Sequence, residues 1–595
     1  MRASLDAGAT GAPPGLDGRP TLGFGPAPGR PASTTLKTLQ DGTQVNQSLV
    51  LTPLGGLGEI GMNCLALEQT SDGVRERLLV DCGVTFPNDD HGVELYHPRF
   101  DAILDEGTIL RGLILTHGHE DHVGAIPYLV AALTEQGAPR LLVAGPPYAL
   151  EMARGRLADV GIDESRYELR AIRPGERLWL GGFGVEPVRV THSIVDATAL
   201  ILETAAGTVV HSGDFKLESD PLDGQPTDEA RLARAGDEGV RLLLSDSTNV
   251  FQAGDAGGEL AVSEALEQLV ATAEGRVVVG LFASNVHRLG ALGAIARRTG
   301  RHVCLLGRSV RRHAEVGRQL GWLAWPSDLV VAPEIAASLP PRRLLYLVTG
   351  TQGEPRAALA RLAAEDHPDL RLGPGDRVVL SSRVIPGAEQ RVFAMQDDLL
   401  RLGVDLVTRL THPAIHVSGH AHRDEQRRLL ELVRPGSFMP VHGTLLHLRR
   451  HAELAREVGI EDTLVLQNGE RAELGSSGLA KRGKFESGRV AIAAGRPVTA
   501  AVLQERRELG RSGLIVVVVG PGSGALRVVT RGVNEAERVR TVAEGAVRGV
   551  LATGATRDLP RLVEALWRAV RARVLDATGQ RPVVEVDVVD AGRKR

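Results

Sequence analysis

A short apolar run that ends in a cluster of ionisable residues is the feature that most constrains the fold of this chain. The run at residues 113–115 is followed at once by the sequence THGHEDH. An apolar run this short is typical of a buried strand. Alternation in an extended chain puts His117 and His119 on one side, and a turn or helix start beyond them can aim Asp121 and His122 at a neighbouring point. The fold must therefore present this cluster at the end of a buried strand.

The residue types in the cluster favour a divalent metal. Imidazole nitrogens and carboxylate oxygens are ligands that a borderline divalent ion accepts without any thiolate. A polar loop with locally bonded histidines is the alternative, but three imidazoles and two carboxylates within six residues argue against it. Cys64, Cys82 and Cys304 form no CxxC pair. We therefore expect neither a thiolate zinc site nor a disulfide framework, and a reducing compartment is favoured.

A hydrolytic metal site needs ligands from elsewhere in the chain, and three later strand ends offer them. His192, Asp214 and His442 each follow a short apolar stretch. Any one of them could instead be a core or turn residue. A carboxylate such as Asp214 suits a shared position, because each of its two oxygens can bind one metal.

Short apolar runs bounded by glycine, aspartate or asparagine recur from Leu49 onward, with helical stretches between some of them. We predict strands at 78–80, 113–115, 141–145, 208–210 and 242–244, and a helix at 125–133. A second pattern begins near Ala261, with helices at 263–274 and 288–299 and strands at 276–281 and 303–306. This mixture predicts layered α/β domains.

The last part of the chain forms a third unit. Strands are predicted at 514–519, 526–529 and 583–589. Asp558 is placed to cap a helix that Gly579 ends. The apolar face of that helix consists of Leu559, Leu562, Val563, Leu566 and Val570.

The combined motif resembles the metallo-β-lactamase superfamily, in which HxHxDH is followed at a distance by a histidine, an aspartate and a histidine. The resemblance implies one metal on His117, His119 and His192, a second metal on Asp121, His122 and His442, and Asp214 as the bridge between them.

The long separation of Asp214 from His442 resembles the β-CASP nucleases, which carry an inserted domain at this point. SDST at residues 245–248, HVSGH at 416–420 and PVHG at 440–443 match their further motifs. Within that group the chain resembles the bacterial ribonuclease J family. The matching motifs are GGLGEIG at 55, HSGDFK at 211, FASNVHR at 282, GRS at 307 and TGTQGEP at 349. The resemblance runs from about Val50 to Gly443, and SSRVIPGAE at 381 departs slightly from the usual sequence.

The fold implied is α/β: a metallo-β-lactamase αββα sandwich with an inserted α/β β-CASP domain and a small α+β C-terminal domain. The chain has 595 residues, too many for one core. The predicted boundaries are 1–45 for a disordered N-terminal extension, 46–258 and 421–473 for the two parts of the lactamase domain, 259–420 for the β-CASP domain, 474–500 for a linker and 501–595 for a C-terminal assembly domain.

The resemblance implies an RNA hydrolase with two divalent ions, zinc or manganese. Such an enzyme removes nucleotides 5′ to 3′, prefers a 5′ monophosphate, can also cut internally, and acts in RNA maturation and decay. It places His420 beside the leaving oxygen, with Asp246 orienting it or exchanging protons with it. The sequence leaves open which of the two is acid and which is base.

An enzyme that works from the 5′ end must also hold a terminal phosphate. Backbone amides of glycine-containing loops can form an anion-binding nest. The residues predicted for this role are Ser284, Asn285, His416, Val417, Ser418, Gly419 and His420, with Arg308 as a bidentate contact. For Arg308 a surface salt bridge is the alternative. A pocket one nucleotide from the metals would exclude a triphosphate, because it would have no room.

Composition limits the partners without choosing one. The net charge is −4, so any basic groove must be local. Aromatic residues make up only 3%, which argues against a broad stacking surface. The N-terminus shows no signal-peptide pattern, and the most apolar run, 514–519, is too short to span a bilayer. We expect a cytoplasmic protein without a membrane partner, which forms a homodimer or homotetramer and can join an RNA degradation complex.

Three other functions stay open at this stage. A DNA nuclease of the same β-CASP group shares the metal motif. A small-molecule hydrolase of the lactamase type would lack the inserted domain and the Asp246–His420 pair. A non-catalytic RNA-binding subunit of a degradation complex would not need intact metal ligands.

Overall fold

The computed structural model describes residues 47–87, 91–105, 107–520, 525–554 and 558–589. The predicted N-terminal extension, residues 1–45, lies outside these ranges. The described residues divide into two compact units, one within 47–87 and 96–489 and the other within 91–95 and 490–589. Cys64, Cys82 and Cys304 are buried and form no disulfide.

One large sheet forms the first layer of the first unit. Within the described ranges its strands, in spatial order, are Gly478–Lys484, Glu470–Gly475, Leu49–Gly55, Cys64–Ser71, Val74–Val80, Ile109–Ile114, Leu141–Gly145 and Tyr167–Ala171. The last four run parallel, so their carboxyl ends meet at one edge.

A second sheet forms the next layer. Its strands in the described chain, in spatial order, are Ser437–Val441, Val240–Asp246, Gly207–His211, Thr198–Thr204, Phe183–Arg189 and Leu178–Leu180. The first three run parallel. Their carboxyl ends therefore also lie at one edge of the sheet.

Side-chain alternation explains why the two sheets pack face to face. Leu242 and Leu244 point into the core between the sheets, where Phe183 also lies. Leu243 points the other way and packs in a second core with Leu430. Helices cover both outer faces: Ile126–Glu135 and Pro147–Val160 on the first sheet, and Glu229–Glu238, Arg423–Val433 and Leu445–Glu457 on the second. The αββα sandwich predicted from the motifs is confirmed.

The inserted domain is built on a parallel sheet. Among the described residues its strands, in spatial order, are His302–Leu306, Leu344–Val348, Val277–Leu281, Arg377–Ser381 and Asp405–Val407. The helices around it are Glu259–Ala271, Val286–Arg298, Arg308–Gln319, Pro333–Ala336, Ala358–Ala363 and Glu389–Arg401. Its own core joins Val278 and Tyr346 of the sheet to Leu359 and Leu399 of the helices.

Several short elements complete the first unit. The strands Leu57–Gly58 and Gly443–Thr444 pair in parallel. The single-turn elements are the α-helix Glu120–Val123 and the 3-10 helices Asp101–Ile103, Glu164–Arg166, Pro341–Arg343 and Pro413–Ile415. A further strand is Leu95–Pro98.

The second unit has its own small α+β core. Its described strands are Arg489–Ala493, Arg496–Val498, Leu514–Val519, Leu526–Arg531 and Val583–Val588, and its helices are Ala500–Ser512, Ala536–Ala552 and Leu559–Thr578. Asp558 occupies the N-cap position of the last helix, and Gly579 ends it at a φ of 70°. Across the described ranges, every helix is too short or too polar to cross a membrane.

Two details differ from the sequence predictions. The segment predicted as a linker, 474–500, contains the strand Gly478–Lys484, which pairs with Glu470–Gly475 at the edge of the first sheet. Its polar residues misled the prediction because an edge strand leaves most of its side chains in solvent. Leu559, predicted on the apolar helix face, is 39% exposed because it lies in the first turn, ahead of the buried Leu566 and Val570.

Candidate metal centre

Strand ends of both sheets bring the predicted ligands together. The THGHEDH run follows Ile109–Ile114, and His119 caps the one-turn helix that carries the next two ligands. Asp214 and His442 follow parallel strands of the second sheet, and His192 follows its strand Phe183–Arg189. All seven predicted ligands fall into two groups of ligand atoms within 4.8 Å of one another. The remaining acid of the run, Glu120, turns away and pairs with Arg156 at 2.6 Å.

The first group consists of His117, His119, His192 and Asp214. Nε2 of His117 lies 3.0 Å from Nδ1 of His119, which lies 3.1 Å from Nε2 of His192. Oδ2 of Asp214 is 3.7 Å from His117 and 3.9 Å from His192. Nitrogens that bind one ion tetrahedrally at ~2.0–2.1 Å lie about 3.3 Å apart. The three imidazoles are therefore spaced as ligands of one ion are.

The second group consists of Asp121, His122, Asp214 and His442. Nε2 of His122 lies 3.2 Å from Oδ2 of Asp214 and 3.7 Å from Oδ2 of Asp121. Nδ1 of His442 lies 2.9 Å from Oδ1 of Asp214. Asp214 belongs to both groups, which is the position that a bridging carboxylate needs.

Protonation in the first ligand group favours ligation. Burial lowers the pKa of His117 and His192 well below the usual value and that of His119 to about 4, so these rings are neutral. Burial alone would raise the pKa of Asp214. The charges of His442 and His122 outweigh that effect and hold the pKa of Asp214 well below its usual range, so the carboxylate is ionised.

A cluster of carboxylates without a lysine or arginine partner shows that these residues suit a cation. Across the described ranges no lysine or arginine forms an ion pair with Asp121, Asp214 or Asp246, whose partners are histidines. Nε2 of His442 is buried and lies 3.4 Å from Oδ2 of Asp121 without completing a hydrogen bond in that part of the chain. Buried charges are normally paired or bind metals. Divalent cations would balance the carboxylates and take the place of the proton on this histidine.

The structure reveals an orienting residue that the sequence analysis missed. Asp81 is buried behind His122 and accepts a hydrogen bond from its Nδ1 over 2.8 Å. The backbone and the hydroxyl of Thr116 each donate to the same carboxylate over 2.8 Å. Such a contact fixes the tautomer and ring orientation of a metal ligand. The signal was present in the sequence, because Asp81 also follows a short apolar run.

A second orienting contact comes from Gly419. Nδ1 of His192 donates to the Gly419 carbonyl over 2.6 Å. Gly419 was predicted to bind phosphate, and the structure shows its carbonyl turned toward a metal ligand.

Asp246 and His420 meet beside the metal ligands. Nδ1 of His420 donates to Oδ2 of Asp246 over 2.8 Å. Oδ1 of Asp246 accepts hydrogen bonds from the backbone and hydroxyl of Thr248 over 2.9 and 2.6 Å. Burial would raise the pKa of Asp246, but the charge and hydrogen bond of His420 outweigh it and lower the pKa. An ionised Asp246 thus holds the ring of His420 by its Nδ1.

Several of the predicted phosphate-binding residues lie beside the first ligand group or in the loop that carries His420. Oγ of Ser284 lies 3.1 Å from Nε2 of His119, beside the first ligand group. Oγ of Ser418 accepts hydrogen bonds from the Asn249 side chain over 2.7 Å and from the His420 amide over 3.1 Å. His416 and Val417 line a cavity together with Ser418.

Asn285 and Arg308 have other positions. Asn285 caps the helix Val286–Arg298, where it accepts a hydrogen bond from the Arg288 amide and donates to Glu259 over 2.9 Å. Both ends of its side-chain amide are therefore used. Arg308 is exposed in the first turn of its helix and forms no ion pair with any residue that the structure describes. No hydrogen bond in the described chain joins it to Ser284 or to the 416–420 loop.

Fold and site together define a metal-dependent hydrolase of the metallo-β-lactamase fold with an inserted domain. The family description "Beta-lactamase superfamily domain" matches residues 76–279. "Ribonuclease J, beta-CASP domain" matches residues 274–399, and "Zn-dependent metallo-hydrolase RNA specificity domain" matches residues 404–465.

Relatives of known name match most of the chain. It is 36% identical to Ribonuclease J of Sinorhizobium meliloti over 91% of this chain and 97% of that protein. It is 33% identical to Ribonuclease J of Thermus thermophilus over 93% and 96% of the two chains, and 38% identical to that of Synechocystis over 79% and 72%. The chain belongs to the ribonuclease J family and is a metal-dependent nuclease, as its motifs predicted.

A solved structure shares the fold. The crystal structure of a protein of unknown function from Enterococcus faecalis matches with a TM-score of 0.50 and 16% identity. The match covers 71% of this chain and 99% of that chain. At this identity the similarity concerns the fold alone.

Proposed function

We propose that this protein is a 5′-to-3′ exoribonuclease that prefers 5′-monophosphorylated RNA, also cuts RNA internally, and acts in RNA maturation and decay. The loop of residues 416–420 carries the proposal. Its Gly419 carbonyl orients the ligand His192, and its His420 pairs with Asp246. Its residues 416–418 line a cavity. One loop therefore joins metal ligands, a proton-transfer pair and a substrate cavity.

Two divalent ions, zinc or manganese, fit the ligand groups. They would be held by His117, His119 and His192, by Asp121, His122 and His442, and by Asp214 between the groups. Bound ions of this kind activate water and neutralise charge on a phosphoryl group. Mixed imidazole and carboxylate ligands accept either metal, so elemental analysis with activity after metal replacement identifies the one used.

His420 is the proton donor of the proposed reaction. The ionised Asp246, 2.8 Å from Nδ1, stabilises the protonated ring and fixes its orientation. Nε2 then donates to the 3′ oxygen that leaves the scissile phosphorus. Asn249 keeps the donor in place, because its side chain donates to the His420 carbonyl over 3.0 Å.

Ser284, His416 and Ser418 would hold the terminal phosphate. Ser284 lies against the metal ligand His119. A phosphate bound beside it would lie close to the reacting phosphodiester and leave space for one nucleotide between the two. This arrangement favours a monophosphate and the release of mononucleotides.

A cavity of 610 Å³ beside the loop supports RNA binding. Arg383 and Arg409 line it with Phe393, and its described lining contains no acidic residue. Arg383 donates to Asn249 over 3.1 Å. Burial and the charge of Arg409 lower the pKa of Arg383, as expected for cations that no carboxylate neutralises. A chain of net charge −4 thus carries a local basic cavity of a size that suits a nucleotide.

Replacing Arg409 by glutamine should weaken RNA binding mainly at low salt. Arg409 is exposed, and no hydrogen bond or ion pair joins it to the described part of the chain, so the substitution should leave the fold intact. A lost phosphate contact should reduce the slope of log Kd against log salt by about 0.7 for single-stranded RNA. Binding is measured in the Asp246→Asn background to prevent cleavage. Arg318→Gln, an exposed arginine in the last turn of Arg308–Gln319, is the control. Equal slopes for wild type and Arg409→Gln would show that Arg409 does not contact the RNA.

Matched RNA and DNA oligonucleotides test the proposed function. We expect mononucleotides to be released fastest from RNA with a 5′ monophosphate, and more slowly from RNA with a 5′ hydroxyl or triphosphate. RNA with a blocked 5′ end reports internal cutting. Faster cleavage of DNA would show a DNA nuclease, and intact RNA in a metal-loaded sample would show a binding subunit.

We also propose that the C-terminal unit mediates a homodimer or homotetramer. Leu559 and Trp567 of its last helix are 39% and 36% exposed. A truncated variant that ends at Arg489 tests this proposal, because it lacks the C-terminal unit but keeps the edge strand Gly478–Lys484 in the first sheet. It should cleave short RNA and have the mass of a monomer in light scattering. An unchanged mass relative to the full chain would contradict this role.

A further inference from the structure

A buried arginine connects the inserted domain to the 416–420 loop. Arg288 is 1% exposed and donates to Glu259 through Nε over 3.1 Å and through Nη2 over 2.5 Å. Its Nη1 donates to the Ser381 carbonyl over 2.8 Å and meets Nδ1 of His416 at 3.0 Å. The side chain therefore contacts a helix start, a strand end and the loop.

The contact between Arg288 and His416 determines the tautomer of the histidine. A guanidinium carries only donors, so Nδ1 of His416 must accept. In the neutral ring the hydrogen then lies on Nε2. This nitrogen is buried and has no hydrogen-bond partner in the described residues. Burial and the charge of Arg288 lower the pKa of His416 well below its usual value, so the ring stays neutral.

We propose that Arg288 is a positioning residue that holds His416 as the Nε2-protonated tautomer and so makes it a hydrogen-bond donor to the 5′ phosphate of RNA. The inference rests on the proposed function of this site. Without Arg288, Nδ1 can take the hydrogen, and Nε2 would then turn a lone pair toward the phosphate. Preference for a 5′ phosphate thus depends on a residue that touches no substrate.

The ion pair with Glu259 explains why the arginine can be buried there. The Glu259 carboxylate accepts hydrogen bonds from Nε and Nη2 and neutralises the charge of the arginine. Nη1 is left to contact the strand end and the loop. Asn285 also donates to Glu259, over 2.9 Å. Asn285, which was predicted to contact the phosphate, therefore acts indirectly: it holds the Glu259 carboxylate that pairs with Arg288.

The double variant Glu259→Gln, Arg288→Gln removes both charges together, so that neither is left buried alone. We expect the ratio of kcat/KM for 5′-monophosphate RNA to that for 5′-hydroxyl RNA to fall about 10-fold. The rate on 5′-hydroxyl RNA and the metal content should stay unchanged. Nitrogen-15 spectra of histidine-labelled protein should show a protonated Nε2 for His416 in the wild type and a mixture of tautomers in the variant.

Arg288→Lys is the conservative companion. A lysine ammonium is a point charge on a flexible stem and cannot contact Glu259, Ser381 and His416 at once. It keeps the buried positive charge, and we expect the same loss of 5′-phosphate preference. If the double variant fails to fold, this substitution decides the matter.

A matched control lies at the amino ends of the strands in the same sheet. Arg276 and Asp376 precede adjacent strands and form two hydrogen bonds of 2.8 Å. Arg276→Gln, Asp376→Asn should leave the phosphate preference unchanged. An equal loss in this control, or no loss in the Arg288 variants, would overturn the inference. A wild-type enzyme that does not distinguish the two RNA ends would overturn the proposed function instead.

Discussion

Replacing Asp214 by asparagine should remove bound metal and reduce RNA hydrolysis by roughly 10³- to 10⁴-fold. The Asp214 carboxylate lies 3.2 Å from Nε2 of His122 and 2.9 Å from Nδ1 of His442, and belongs to both ligand groups. Bound metals stabilise the transition state by several kcal/mol, and each 1.36 kcal/mol corresponds to about tenfold in rate. Elemental analysis and single-turnover kinetics on 5′-monophosphorylated RNA provide the measurements.

Asp376→Asn is the matched control for this prediction. Asp376 is also buried, but it pairs with Arg276 in the inserted domain, away from the ligand groups. Its loss should lower thermal stability and leave metal content and rate largely intact. His119→Ala should repeat the result of Asp214→Asn at the first ligand group. Full metal content and full rate in Asp214→Asn would disprove the metal centre proposed here.

Replacing Asp246 by asparagine should reduce RNA hydrolysis by about 10²- to 10⁴-fold and leave the bound metal in place. The range is that of a lost general acid or base. Asparagine keeps the shape of the side chain but loses the charge that stabilises a protonated His420. His420→Gln should cause a loss of similar size, because the two residues act as one unit.

The leaving group provides a sharper test of the Asp246–His420 pair. A p-nitrophenyl phosphodiester releases a weakly basic phenolate that needs no proton. Its hydrolysis should therefore be reduced by Asp246→Asn by only about tenfold or less. Equal losses on this substrate and on RNA would contradict the role of His420 as proton donor. Loss of metal in Asp246→Asn would instead show that Asp246 is itself a ligand, since it lies in a third cluster with Asp214, His420 and His442.

The loop of residues 416–420 connects the inserted domain to the proposed catalytic pair. It follows the last strand of that domain and the 3-10 helix Pro413–Ile415, and it leads into the helix Arg423–Val433 of the sandwich. The inserted domain holds it through Arg288 at His416, and the sandwich holds it through Asn249 at Ser418 and His420. We therefore expect a change at Asn249 to alter the position of His420, and a change at Arg288 to act at His416.

The clustering of the candidate metal ligands could be predicted from sequence because their signal is local. Each ligand follows a short apolar run, and buried parallel strands must end at a common edge. His192, Asp214 and His442 could therefore be selected, although they lie far from the THGHEDH run. The edge strand Gly478–Lys484 was mistaken for a linker because its side chains are mostly exposed, so its pairing leaves little hydrophobic pattern.

The sequence by itself thus determined which residues are candidate ligands, through the strand ends on which they lie and the motif that they resemble. Only the tertiary structure decided how the ligands and the loop are held. Asp81 behind His122, Gly419 behind His192 and Arg288 behind His416 act through hydrogen bonds between residues distant in the chain. Such contacts depend on which strands and loops become neighbours, and a hydrogen bond requires the two atoms to lie within about 3 Å. No periodicity or motif spacing encodes that distance, so it appears only when the two sheets and the inserted domain have packed.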